Sequence, residues 1–478
     1  MAHDEFNLAA AARQEMMERG FSPDFPPEVE HQLATIRPQT GNGLRDLASL
    51  PWSSIDNDDS RDLDQIEWAE RVAGGIRVLV GIADVDSAVA QGTPIDSHAA
   101  REATTVYAGV RTFPMLPERL STDLTSLNEG EDRAGVAIEF VVAADGSLGA
   151  GSVYRALVRN RAQLTYNAVG AWLEGKGAAP PKVAASADLA AQLKLQDEAA
   201  QALRAARHRL GALTFERLEA QPVIADGQVR DITARGTNRA SQLIEDFMIA
   251  ANEVMAQALR AAGVSSIRRV VKEPERWPRI VELAAQYGDT LPAAPDSGAL
   301  NAFLARRKQA DAVHYSDVSL AVLKLMGPGQ YVLLRPSDPA QGHFGLAVQD
   351  YTHSTAPNRR FADLVTQRLL KALPAKPYPD DALDAIARNC TLKEDAARKV
   401  RRDMDKRIAA VALHDRVGQA FSAVVTGVTT KGVFVRALGP PVEGRLMHGE
   451  QGLDVGDRLR VRLLSTDPQR GFIDFGRA

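Results

Sequence analysis

Five carboxylates fall within nine residues at Asp56, Asp58, Asp59, Asp62 and Asp64, directly after the apolar turn Leu50-Pro51-Trp52. Carboxylates held this close repel one another, and in a folded chain their pKa values rise unless a cation shares the space. Oxygen-only ligands call for a hard cation, so Mg2+, Mn2+ or Ca2+ is the natural guest. Three readings compete for the segment. A solvated acidic loop needs no ligand. An EF-hand loop would place Asp56, Asp58, Ser60, Asp62, Asp64 and Glu67 at its ligand positions, with Leu63 at the apolar one. It also needs a glycine where this chain has Arg61, and helices on both flanks. Pro51-Trp52-Ser53 does not read as helix, and 75–83 reads as a strand. The third reading is a catalytic metal site, with carboxylates holding one or two ions against a phosphodiester.

The elements around this loop predict a mixed α+β chain. Val136 to Val142 is a strand ending at the Asp145-Gly146 turn. Helices are expected over about 186–208, 241–262 and 380–416, the last with the basic run Arg398-Lys399-Val400-Arg401-Arg402. In the second, Ile244, Phe247, Met248, Ala251, Val254, Met255 and Leu259 form one apolar stripe. Glu245 lies at its edge, which favours Glu245 as the inward polar residue and puts Asp246 on the far face. Residues 1–48 read as a helical module, with Asn7 capping a first helix that Gly20 ends and Pro27 opening a second. From about 419, five short strands separated by turn residues suit an OB-type barrel, a frequent platform for single-stranded nucleic acid.

Composition narrows the classes. A chain of 478 residues holds two or three domains with full cores. The single cysteine, Cys390, argues against a disulfide framework or a cysteine-based zinc site, and fits a reducing cytoplasm. No apolar run approaches the roughly 18–20 residues needed to span a bilayer, and Met1 to Phe6 lacks the start of a signal peptide. A net charge of −4 gives no global attraction to nucleic acid, so any such binding uses local basic patches.

Four segments in order resemble the ribonuclease II family of 3′-to-5′ exoribonucleases. They are the aspartate cluster; Ile82-Ala83-Asp84-Val85 with Thr105-Val106-Tyr107, Pro114 to Ser121 and Leu127 to Arg133; Glu245 to Asn252; and His343 to Leu346 with Tyr351 to Asp363. The tail resembles an S1 RNA-binding domain. The resemblance implies a mixed α/β RNB catalytic domain over 49–415 and a five-stranded S1 barrel over 416–478, and it leaves residues 1–48 as the helical N-terminal module, too short for the two cold-shock barrels the family often carries there. For the N-terminal module, a helix-turn-helix and a segment docked on the catalytic domain are both open.

The activity implied is processive hydrolysis of single-stranded RNA to nucleoside 5′-monophosphates, by a cytoplasmic monomer using Mg2+, with Mn2+ as the alternative. By the same resemblance Asp56, Asp62, Asp64 and Gln65 would hold the metal, and Asp62, Asp64 and Arg359 would be catalytic. Tyr107 and Phe215 would clamp terminal bases, while Tyr166 and Glu245 would contact ribose hydroxyls. Arg359, Arg360, Phe434 and His448 would also bind RNA. Gln65 departs from the family, whose cluster ends in two adjacent aspartates; an amide oxygen can ligate a hard cation but brings no charge. Ala356, Asn358 and Phe361 replace the commoner Ser, Ile and Tyr, and Lys431 stands where S1 domains often have an aromatic. A weakly catalytic RNA-binding protein on the same fold is the competing function, and a calcium-regulated interaction protein a more distant one.

Overall fold

The computed structural model describes residues 6–38, 41, 43–215, 219–225, 228–311 and 315–478. Helix α1 spans Leu8–Glu18, its first turn capped by Asn7, whose side chain accepts from the Ala10 amide at 2.9 Å. Gly20, at φ +80°, follows the helix as expected. Helix α2 is Pro27–Thr35. Helix stops there rather than continuing toward residue 48, because Pro38 disfavours helical backbone at Arg37 and cannot donate an amide hydrogen. Residues 1–5, 39, 40 and 42 of the expected module lie outside the described residues.

A six-stranded sheet organises the centre. Its strands are β1 (Arg45–Asp46), β2 (Trp52–Asp56), β3 (Gln65–Val72) and β4 (Gly75–Ala83), followed after an excursion by β7 and β8. The excursion contributes α3 (Pro94–Glu102) and the small hairpin β5 (Val106–Tyr107) and β6 (Thr112–Phe113). Strands β7 (Asp132–Val142) and β8 (Ser152–Thr165) complete the order β1-β8-β2-β3-β4-β7. The length of β8 lets its first half pair antiparallel with β7 and its second half pair parallel with β2, so the sheet curls back on itself. The aspartate loop thus joins two strands, β2 and β3. This removes the EF-hand reading, since Glu67 is a wholly buried strand residue rather than a loop ligand.

Helices α4 (Tyr166–Leu173), α5 (Pro181–Ala184) and α6 (Ala187–Arg209) follow, then the hairpin β9 (Glu219–Ala225) and β10 (Gln228–Arg235), and α7 (Arg239–Ala261). Leu243, Ile244, Phe247, Ala251, Val254 and Met255 of α7 bury the expected stripe in the core shared with the sheet. Strand β11 (Ser266–Val270) pairs with β12 (Gln330–Leu334), and between them α8 (Trp277–Gln286), α9 (Ser297–Ala310) and α10 (Tyr315–Met326) close a separate core around Trp277, Phe303 and Tyr315.

Helix α11 (Phe361–Ala372) is pinned by Arg368, 4% exposed. Its guanidinium donates to Asp86 at 2.8 Å, and to Asp96, the Tyr378 hydroxyl and the Val89 carbonyl at 2.7 Å each. The long α12 (Asp380–Ala412) ends four residues before the expected limit. Helix α1 packs on α12 and on the β5–β6 hairpin through Ala12, Met16, Val106, Phe113, Val400 and Met404. Helix α2 joins the sheet core through Val29 and Leu33. Of the two readings for the N-terminal module, these contacts favour a docked segment.

Strands β13 (Ala420–Thr429), β14 (Gly432–Ala437), β15 (Glu443–His448), β16 (Arg458–Asp467) and β17 (Phe472–Arg477) form a closed barrel in the order β13-β14-β15-β17-β16. Alternate residues fill it, among them Val425, Val435, Leu446, Val461 and Phe475. Phe421 is core, packed edge-on against Phe475.

Candidate active site

Backbone bonds hold the aspartate loop. The Leu63 amide donates to the Ser126 hydroxyl at 3.0 Å, the Leu63 carbonyl accepts from the Leu127 amide, and Leu63 itself is sunk in the core. Asp56 turns the chain at the end of β2, where one carboxylate oxygen accepts from the Asn57 amide at 2.7 Å and the Ser60 hydroxyl at 2.9 Å. Asp64, 2% exposed, stands at the start of β3, and its carbonyl accepts from the Ala83 amide at 2.9 Å.

The second half of the site arrives from 294 residues further along the chain. In the segment before α11, the Asn358 amide donates to Asp64 at 3.3 Å, and the Arg359 guanidinium Nε lies 3.5 Å from the other Asp64 oxygen. Buried Asp363 sets this segment, accepting from the Ala356 amide at 2.8 Å and from the Arg360 side chain at 2.7 Å. The Arg359 carbonyl accepts from the Thr105 amide at 3.0 Å, which ties the segment to the strand carrying Tyr107. Distant motifs thereby meet through main-chain bonds. Arg360, read from sequence as an RNA contact, is turned toward Asp363.

Two cavities open beside this assembly. One, of about 670 Å3, is lined by Asp59, Asp62, Tyr107 and Asn358; the other, of about 940 Å3, by Tyr166, Phe215 and Glu245. Asn57 lines both. The sequence-derived residues therefore divide, with Tyr107 beside the aspartates and the ribose candidates together with Phe215 in the neighbouring space. Phe434 and His448 lie apart on the barrel, the first half-buried and the second exposed.

The expected orientation of α7 is reversed. Glu245 is exposed toward the larger cavity, ion-paired with Arg204 at 3.0 Å, whereas Asp246 is 1% exposed and bound by Arg204 and Arg207. The stripe considered only the sheet-facing side. Helix α6 covers a second side of α7, and its two arginines neutralise Asp246 there. Burial still holds Asp246 up at about 6, against the pull of Arg207 and Arg204.

Charge in the site is uncompensated. Burial pushes Asp64 up to about 7 despite Arg359, with Asp62 adding repulsion. Asp62 is raised as well, by burial first, with the charges of Asp56 and Asp59 opposing Arg359. An all-oxygen donor set whose negative charge outweighs its one guanidinium fits a hard divalent cation. Among the described residues no three acidic or histidine groups stand close enough to hold an ion as placed. Asp56 and Asp62, partly exposed at the loop ends, would have to rotate onto it.

A pH dependence follows. Asp64 releases its proton near 7 when folded and near 4 when unfolded. Between those values the unfolded chain binds fewer protons, so the metal-free protein loses stability as pH rises. Cation binding must displace the Asp64 proton below pH 7. Calorimetric titration with Mn2+ should show affinity falling by up to about tenfold per pH unit below 7 and levelling off above it.

Comparison with known proteins now decides the family. The RNB domain family matches residues 44–376, and the RNase II-type exonuclease C-terminal S1 domain matches 419–478. This chain belongs to the RNB family. It is 30% identical to ribonuclease R of Thermotoga maritima, covering 95% of this chain and 68% of that protein. It is 29% identical to ribonuclease R 1 of Lactococcus lactis, covering 95% of this chain and 59% of that protein. In fold it is similar to Mycoplasma genitalium RNase R in complex with ribose-methylated single-stranded RNA, at TM-score 0.88 and 22% identity, over 99% of this chain and 78% of that one. Nucleases of the RNB family depend on a divalent metal. No helix among the described residues is long and apolar enough to cross a membrane.

Sequence reasoning missed three contributors. The Asn358 amide reaches Asp64 through the main chain, which side-chain type does not reveal. Asp363 was part of a quoted motif without a role. Arg401 lines the aspartate cavity; its basic run was visible, but not which face of α12 meets the site.

Proposed function

We propose that this protein is a processive 3′-to-5′ exoribonuclease that hydrolyses single-stranded RNA to nucleoside 5′-monophosphates, with Mg2+ as the ion at Asp56, Asp62, Asp64 and Gln65. The observation that carries the reading is Arg359 Nε at 3.5 Å from the buried Asp64 carboxylate, beside a cavity lined by Tyr107 and Asp62. When bound, the cation supplies charge neutralisation for the phosphodiester and activates the attacking water. Arg359 stays charged at every working pH, and its planar fork matches two phosphate oxygens. Asp64 orients that guanidinium. The Tyr107 ring offers a face on which any base stacks, giving grip without sequence preference. Tyr166 and Glu245 line the adjacent cavity as candidates for ribose hydroxyls, the feature separating RNA from DNA.

Incubating the protein with 5′-labelled single-stranded RNA and Mg2+ tests this directly. Conversion of full-length RNA to a very short labelled end product, blocked by EDTA, is the expected result. Intact RNA under Mg2+ and Mn2+ alike, with binding retained, would favour the weakly catalytic RNA-binding reading, for which the neutral Gln65 is the specific observation. Glu245→Ala should reduce the preference for RNA over a DNA strand of the same sequence by about tenfold, the loss of one charge-assisted hydrogen bond. Competition binding measures it, and an unchanged preference would remove Glu245 from ribose recognition.

A further inference from the structure

Helix α12 carries two arginines that the reaction described above leaves without a role. Arg401 lines the aspartate cavity, and Arg398, one turn before it, lines the cavity that holds Phe215 and Glu245. Residues three apart on a helix are neighbours on one face, so a single short stretch of α12 meets both spaces. Val400, Met404 and Ile408 fix its orientation, buried against α1 and the β5–β6 hairpin.

The same helix is joined to the Tyr107 hairpin and to the barrel. Gly109, in the hairpin turn at φ +81°, packs so closely on α12 that a Cβ there would lie 2.6 Å from Ile408 Cδ1 and 3.7 Å from Asp405 Oδ1. Asp405 in turn accepts from Arg401 Nε at 2.8 and 3.0 Å. Farther along, Gly471 in the turn between β16 and β17 lies against Lys406, where a Cβ would meet the lysine Cβ at 2.8 Å. Helix α12 therefore leads from the barrel, past Tyr107, to the larger cavity.

The charges along this path are unevenly placed. The aspartate cavity sets Asp59, Asp62 and Glu118 against Arg61 and Arg401, and Arg61 is paired with Glu118 at 2.9 Å. An RNA backbone entering it adds negative charge beside those carboxylates, so cations must line its approach. The larger cavity has the opposite balance, with Arg269, Lys324 and Arg398 against Glu245. Arg269 is held by Glu394 at 2.5 and 2.8 Å. Arg398 and Arg401 pair with acidic residues of their own helix, Asp395 and Asp405, in partly exposed ion pairs. Such pairs contribute little, and a phosphate can take the place of the carboxylate.

We propose that Arg401 and Arg398 form a phosphate rail on α12. Arg401 holds the backbone of single-stranded RNA as it passes Tyr107 into the aspartate cavity, and Arg398 holds it in the neighbouring one. Each exchanges its helix carboxylate for a phosphate. This deepens the exoribonuclease reading and rests on it. A backbone contact is blind to base identity. The reacting phosphodiester is served by Arg359, so the rail acts on binding and not on the chemical step.

The test measures binding of the full chain, in EDTA, to 5′-labelled single-stranded RNA by filter binding across a salt series. Arg401→Gln and Arg398→Gln should each flatten the slope of log affinity against log salt concentration by about 0.7, the effect of losing one phosphate contact on a single strand. Adenosine and uridine homopolymers should respond alike. Arg401→Lys keeps the charge and should keep the slope. Arg388→Gln is the control, an exposed arginine of α12 paired with Asp384 that lines neither cavity, and it should change nothing. With Mg2+ restored, the two glutamine variants should raise KM and leave kcat unchanged. An unchanged slope in either variant, or an equal change in Arg388→Gln, would overturn the rail. Wild-type protein that shows these slopes but cuts no RNA would overturn the exoribonuclease reading and leave the rail standing; wild-type protein that binds no RNA would overturn both. If Arg401→Gln does not fold, Asp405→Asn decides. Releasing Arg401 from its helix partner should tighten RNA binding about two- to fivefold, the strength of an exposed ion pair, and unchanged affinity would defeat the proposal.

Discussion

Asp64→Asn is expected to reduce turnover of single-stranded RNA by about 10^3-fold or more while leaving RNA affinity within a few-fold of wild type. The side chain is 2% exposed, so it adds little contact surface for RNA. Its carboxylate instead faces Arg359 on one oxygen and the Asn358 amide on the other. The amide keeps the shape and can accept one of these bonds, but it removes the charge that draws the cation and orients the guanidinium. Removing a buried carboxylate whose pKa has risen to about 7 should also stabilise the metal-free protein at pH 8. Single-turnover rates, filter binding and thermal melting measure the three quantities. Full activity in this variant would remove Asp64 from the catalytic site, and a parallel loss of binding and melting temperature would show that it holds the fold instead.

Arg359→Lys should lower turnover by about 10^2- to 10^3-fold, the cost of losing one well-placed donor to charge that develops in the transition state. Lysine keeps the positive charge but not the planar fork, so it meets phosphate as a point charge. The backbone of the segment should survive, because its anchors are the Arg359 carbonyl on Thr105 and the Ala356 amide on Asp363, neither of which involves the replaced side chain. A pre-steady-state measurement separates outcomes: a slower chemical step with RNA affinity nearly unchanged supports the assignment, and a loss confined to affinity would make Arg359 a binding residue only.

Much of the fold was legible because local patterns and tertiary packing agreed. The α7 stripe at Ile244, Phe247, Ala251 and Val254 is buried as its spacing requires. The five strands of the tail close into a barrel whose inward residues alternate, and the Asn7 cap is present. Where one element meets two neighbours, the pattern misled. Helix α7 packs on α6 as well as on the sheet, and Asp246, which lies away from the apolar stripe, is buried between arginines of α6. Helix beyond Thr35 also failed to form, since the chain there turns to give the short strand β1 to the sheet.

The sequence by itself determined which groups are present: an aspartate run that demands a cation, an arginine that stays charged, aromatics for stacking and two folding patterns. These are properties of residue type and of spacing along a single element, so they need no knowledge of neighbours, whereas the sequence alone left the aspartate run open between a solvated loop and a cation site. Only the tertiary structure decided which groups share a space. Asp64 and Arg359 meet because main-chain bonds of 355–361 reach the strand of Tyr107 and the start of β3. Burial and unpaired charge are sums over residues distant in the chain, and they appear only once the chain has closed on itself.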